Sequence, residues 1–107
     1  MMIVTTDQVA GYEIVEVKGY VKGSTIQTKH IGRDITAGLK GIVGGEIKGY
    51  NEMMTEARKL AMHRMVQEAE EKGANAIIGM RMQTSTVMSA AAEIITYGTA
   101  VVLEKIN

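Results

Sequence analysis

The residues of this chain best suited to binding chemistry are two arginines near a pair of glycines. Gly44 and Gly45 would let the backbone approach a ligand closely. A helix starting directly after them would offer free N–H donors to an anion, and an arginine would add a forked positive charge. If a functional pocket exists, we therefore expect it to bind a small anion or cofactor through the following residues: Arg33, Asp34, Gly44, Gly45, Tyr50 and Arg58.

A structural interpretation of the same residues stays open. The glycine pair matches neither a dinucleotide-binding G-x-G-x-x-G motif nor a phosphate-binding loop, which requires a lysine after its second glycine. Gly44 and Gly45 could simply bend the chain, and Arg58 could form an ion pair at an interface. On this interpretation the set shapes a turn and a subunit contact.

Metal-ligating residues are scarce. The chain has no cysteine, and its two histidines, His30 and His63, are far apart in sequence. A zinc site needs several converging nitrogen or sulfur ligands, so we predict no tight Zn²⁺ or Cu²⁺ site within one chain. A symmetric ring could still bring one histidine per subunit together on its axis. The nine methionines are interpreted as core-filling residues, because six of them lie on predicted core elements.

No nucleophile stands in a catalytic motif. Ser24, Ser85 and Ser89 lie outside any G-x-S-x-G elbow. The adjacent carboxylates Glu70 and Glu71 are typical of a solvated helix end. We therefore predict no catalytic residue and no enzymatic activity.

Length and composition restrict the classes of protein to which this chain could belong. Its 107 residues suit one domain, residues 1–107, and 46% hydrophobic residues are typical of a folded chain. Twelve basic and twelve acidic residues balance, which argues against a nucleic-acid partner. There is no polybasic run, no membrane-length apolar run and no signal peptide, so we expect a cytoplasmic protein without a membrane partner.

Alternating and β-prone residues predict four strands. A short leading strand over residues 2–6 precedes a strand over residues 12–21, which could continue through residues 25–30 past Gly19 and Gly23. Two further strands are predicted over residues 76–86 and 93–103. A small-residue segment, residues 87–92, joins these last two strands as a hairpin loop.

Helical spacing predicts one long amphipathic helix between these strands. Apolar residues recur at three- and four-residue steps over residues 46–72, and Gly73 is expected to end the helix as its C′ residue. A short helix is predicted over residues 34–43, with Asp34 as its N-cap. The resulting order is β-α-β-β after the short leading strand, an α+β arrangement.

The apolar pattern also predicts self-association. One helix covers one face of a sheet, whereas the last strand has apolar groups on both faces, including Ile94, Ile95 and Val101. The leading strand could pair with the sheet edge of a neighbour, and contacts of this head-to-tail kind close into rings. We therefore expect a closed homo-oligomer.

The chain also resembles the YbjQ-like family of uncharacterised small bacterial proteins over nearly its whole length. The most specific part of the resemblance is Arg33-Asp34-x-x-Ala37-Gly38-Leu39-Lys40-x-Ile42-Val43-Gly44-Gly45. Further matching residues are Thr5-Thr6, Gly11, Tyr50, Ala57-Arg58, Ala61, Gly73-Ala74-Asn75-Ala76 and Gly98-Thr99-Ala100.

This resemblance implies a dodecin-like subunit, in which a three-stranded antiparallel sheet packs on one long helix, and a ring of five subunits. The resemblance to dodecin-like subunits also suggests an alternative function, binding of a small anion or cofactor at the subunit junctions. Some family members are described as heavy-metal-binding, which makes metal sequestration a third hypothesis. The family brings no established activity and no cofactor to this chain.

Overall fold

The computed structural model describes residues 1–28, 48–88 and 91–107, with side chains described for residues 1–26, 52–85 and 92–107. Four strands and one helix occur in the described part of the chain. Their bounds are β1 Met2–Ile3, β2 Tyr12–Thr28, α1 Lys48–Glu71, β3 Ala76–Met88 and β4 Ala91–Lys105. The helix predicted over residues 34–43 lies outside the described residues.

The strands form one mixed sheet in the order β1-β3-β4-β2. β4 pairs antiparallel with both β2 and β3, as the three-stranded expectation required. The expected sheet had three strands, but the observed sheet has four, because β1 pairs parallel with β3 of the same chain. One edge of β1 is therefore used within its own chain, and pairing of the leading strand with a neighbour's sheet edge stays a prediction. Val4 extends the contact through a 2.9 Å bond from its N–H to the Ile77 carbonyl.

β2 is one strand of 17 residues, so the predicted continuation past Gly19 and Gly23 is confirmed as far as Thr28. Gly19, with φ +107°, lies at a register shift, so its predicted bulge is confirmed. Gly23 causes no register shift. Instead, a Cβ at Gly23 would collide with the Ala61 carbonyl oxygen and the Met65 nitrogen, so the missing side chain lets β2 and α1 approach each other.

α1 ends where the sequence predicted. Gly73 has φ +79°, and its N–H donates to the Glu70 carbonyl at 3.0 Å. The N–H of Ala74 donates to the Ala69 carbonyl at 3.0 Å, which completes a Schellman motif. Asn75 follows and exchanges two side-chain hydrogen bonds with the backbone of Leu103, at 2.8 and 2.9 Å. This motif fixes the start of β3 against β4.

The helix packs on one face of the sheet, here called the inner face. Its buried residues are Met54, Ala57, Ala61, Met65 and Ala69, and the sheet supplies Val21, Ile77, Ile94 and Ala100. Two buried threonines also join the layers: the Thr25 hydroxyl donates to the Ala57 carbonyl and the Thr96 hydroxyl to the Ala61 carbonyl, both at 3.1 Å. The predicted polar side of the helix is confirmed as exposed, with Glu52, Glu56, Lys59, His63, Gln67 and Glu70.

The opposite, outer face of the sheet is covered at one end by the chain's own N-terminal segment, residues 1–12. There Ala76, Ile78, Val101 and Leu103 form a second core with Met2, Val4, Val9 and Tyr12. The chain itself therefore covers the second face of β4 at this end. We call this end of the sheet proximal, and the end at Thr28, Met88 and Ala91 distal.

Candidate functional site

The sequence-predicted pocket is only partly visible. Arg33, Asp34, Gly44 and Gly45 lie outside the described residues, and Tyr50 is described only as part of the helix backbone. Arg58 is exposed on α1, directly after the buried Ala57. Convergence of these six residues therefore stays a prediction.

The described part of the chain contains no group of three or more potential metal ligands among histidine, cysteine, aspartate and glutamate. His63 is exposed on the polar side of α1, whereas His30 lies outside the described residues. Met54 and Met65 are buried in the core, while Met62 and Met80 pack against it. Core filling is thus confirmed for these four methionines, and the described donors do not fit a heavy-metal site.

The sequence analysis missed an apolar stripe on the outer face of β2. Ile14, Val17, Tyr20 and Ile26 point to this face, since their partners on β4 are Leu103, Val101, Thr99 and Glu93. Their side chains are 39%, 64%, 58% and 53% exposed, respectively. Single exposed apolar residues are normal, but several along one edge strand make this face of β2 a candidate interaction surface, although Lys22 and Ser24 separate Ile26 from the other three. The bulges beside Val17 hid this row from a strict period of two.

Basic and aromatic side chains form one rung across the middle of the outer face. Tyr97 of β4 pairs with Lys22 of β2 on one side and with Arg81 of β3 on the other. Adjacent strands lie about 4.8 Å apart, so the backbones at Lys22 and Arg81 are about 10 Å apart. Among the described residues, neither cation forms an ion pair. The acid of β4 on this face, Glu93, is four residues from Tyr97 along the strand, about 13 Å.

Arg81 lies where the sheet becomes one strand narrower, because the N-terminal segment no longer pairs with β3 beyond Met80. Its guanidinium donates to the carbonyls of Thr5 and Met80 at 2.9 and 2.8 Å, where the N-terminal segment leaves β3. An open cleft of about 550 Å³ lies at this point, lined by Thr5, Met80, Arg81 and Met82. Beyond Met80, no described residue pairs with the outer edge of β3.

No helix within the described residues is long and apolar enough to cross a membrane.

The comparisons with known proteins agree with the resemblance seen in the sequence. A UPF0145 protein of Halalkalibacterium halodurans is 78% identical over 105 residues, covering 98% of this chain and 99% of the relative. A UPF0145 protein of Thermotoga maritima is 58% identical over 106 residues, covering 99% and 100%.

A solved structure shares the fold. It is a protein of unknown function from Pediococcus pentosaceus, assigned to the DUF74 family, with a TM-score of 0.66 and 21% identity. The match covers 97% of this chain and 98% of that one. The YbjQ family model, described as "Putative heavy-metal-binding", matches residues 1–104. The chain therefore belongs to this uncharacterised bacterial family.

Proposed function

We propose that this protein is a non-enzymatic subunit of a closed homo-oligomer, and that its working form is the assembled ring. The uncovered apolar stripe on β2 carries this proposal. Five of the nine large apolar side chains that are exposed in the described part of the chain belong to β2, which is an edge strand. Covering them in an interface would remove both exposed apolar surface and an unpaired edge.

The lengths of the elements support the same proposal. A 17-residue strand is about 56 Å long, whereas a 24-residue helix is about 36 Å long. α1 therefore covers only part of the sheet. The radius of gyration is 17.3 Å, against about 13 Å for a compact domain of similar length. A second copy is the simplest cover for the remaining surface.

Light scattering coupled to size exclusion at low micromolar concentration tests this proposal. The resemblance to YbjQ-like proteins implies five subunits, so the expected mass is about 58 kDa, five times the 11.6 kDa of one chain. A folded monomer of 11.6 kDa under these conditions would contradict the proposal.

A second function, binding of a small anion, is favoured by the rung formed by Lys22, Tyr97 and Arg81. Two cations without an ion-pair partner in the described residues flank an aromatic ring, and an anion could accept hydrogen bonds from both. Calorimetric titration with inorganic phosphate should show binding that Lys22→Gln weakens at least tenfold. Lys105→Gln, at the proximal end of the sheet, is the matched control and should leave it unchanged. Equal affinity in all three proteins would refute this site.

A further inference from the structure

We infer that the distal edge of β2 pairs in parallel with the free distal edge of β3 from a second copy, in a register that closes a ring. This inference rests on the proposed homo-oligomer and specifies its interface. The sheet has two different unpaired edges, because β2 is free along one side and β3 is free beyond Met80 among the described residues. When the β2 edge of one copy joins the β3 edge of a second copy, the pair still has one free β3 edge and one free β2 edge. This is a head-to-tail contact.

Both edges lose their protection at the same end of the sheet. The first part of β2 carries two register shifts and four charges, Glu13, Glu16, Lys18 and Lys22. Bulges and charges are the usual features that prevent edge strands from pairing. From Ser24 to Thr28, β2 has neither. On β3 the N-terminal segment protects the edge as far as Met80. Residues 82–88 are uncharged, and their one register shift lies between Thr86 and Met88, so the unprotected stretch of β3 is residues 82–85.

The two unprotected stretches also lie at the same level. Ser24 pairs with Ile95, which pairs with Gln83; Ile26 pairs with Glu93, which pairs with Ser85. If Ser24 meets Gln83 of the second copy, the contact adds no rise along the strands. A head-to-tail contact closes into a ring when the rotation that it imposes returns to the first copy, and it otherwise grows a filament. The shared level allows the two unprotected stretches to pair along their length in the register proposed here.

The proximal half of the same edge fits this arrangement. Val17 and Tyr20 lie level with Ala76 and Ile78 through Val101 and Thr99. In the second copy, β1 adds one more strand at that level, so the partner is wider there. The bulges bend β2 in this half, which allows it to lean away from the wider edge. The exposed side chains of Val17 and Tyr20 would then pack against the partner's N-terminal segment.

Disulfide cross-linking tests this interface, since the natural chain has no cysteine. The variant Ser24→Cys/Gln83→Cys has its two thiols in one chain about 10 Å apart, too far for an internal bond. Across the proposed interface they are neighbours. Oxidation should give a ladder of covalent species in non-reducing electrophoresis, ending at the number of subunits in the ring. The pair Ile26→Cys/Ser85→Cys should give the same ladder.

Control variants test the register and the type of contact. Lys22→Cys/Ser85→Cys is offset by four residues, about 13 Å, and should give no ladder. Gln83→Cys alone should stay uncross-linked, because a covalent dimer would reveal β3 pairing with β3 and overturn the inference. If light scattering finds a ring but neither matched pair cross-links, the interface is wrong while the proposed assembly stands. A monomeric natural chain would refute both.

Discussion

At the scale of single residues, Gly23 controls how closely the helix and sheet pack. We predict that Gly23→Ala lowers the free energy of unfolding by about 1–3 kcal/mol, because the added Cβ would collide with the backbone of α1 at Ala61 and Met65. Urea unfolding measures this change. Ser24→Ala is the matched control, since Ser24 faces away from the helix, and it should change stability by less than about 0.5 kcal/mol. Equal stability of both variants would contradict the close approach.

Metal binding is also decided by individual residues. We predict that the protein does not bind Zn²⁺ or Cu²⁺ with sub-micromolar affinity, because it lacks cysteine and its described residues form no ligand cluster. Calorimetric titration of the assembled protein tests this prediction. Tight binding that is lost in His30→Ala or His63→Ala would contradict it, and would indicate a site shared between subunits.

At the scale of elements, the N-terminal segment is part of the core of its own subunit. Met2 and Val4 pack on Ala76, Ile78, Val101 and Leu103, so deleting residues 1–6 uncovers this cluster. We predict that the deletion lowers the unfolding midpoint in urea as well as weakening assembly. This differs from the expectation for a strand exchanged with a neighbour, whose loss would weaken the ring before it unfolds the subunit. Unchanged subunit stability would contradict the packing seen here.

At the scale of the whole molecule, we predict that charges placed in the apolar stripe on β2 prevent assembly of the proposed ring. Val17→Lys/Ile26→Lys should dissociate the oligomer to monomers at micromolar concentration while the circular dichroism spectrum stays native, because both side chains are more than half exposed in the subunit. Leu60→Lys, which replaces an exposed apolar residue on α1, is the control and should leave the mass unchanged. If Leu60→Lys dissociated the oligomer and the double variant did not, the interface would lie on the helix instead.

The order of the elements and the chemistry of the long helix were determined by the sequence itself. The three- and four-residue spacing of Met54, Ala57, Ala61 and Met65 identified the buried side of α1, because helical periodicity is a local property of the chain. The stop at Gly73 could be predicted for the same reason, since a C′ glycine needs only its own left-handed conformation. Family membership also followed from residues that match one by one.

Only the tertiary structure determined which surfaces remain open. The sequence analysis placed apolar residues on both faces of β4 but did not identify what covers the second face. The structure gives part of that face to Met2, Val4 and Val9, which are distant from it in sequence. The rung of Lys22, Tyr97 and Arg81 likewise joins three strands whose register depends on long-range pairing and on bulges. Such register is set by packing and not by local preference, and for that reason the sequence alone did not reveal the rung or the stripe on β2.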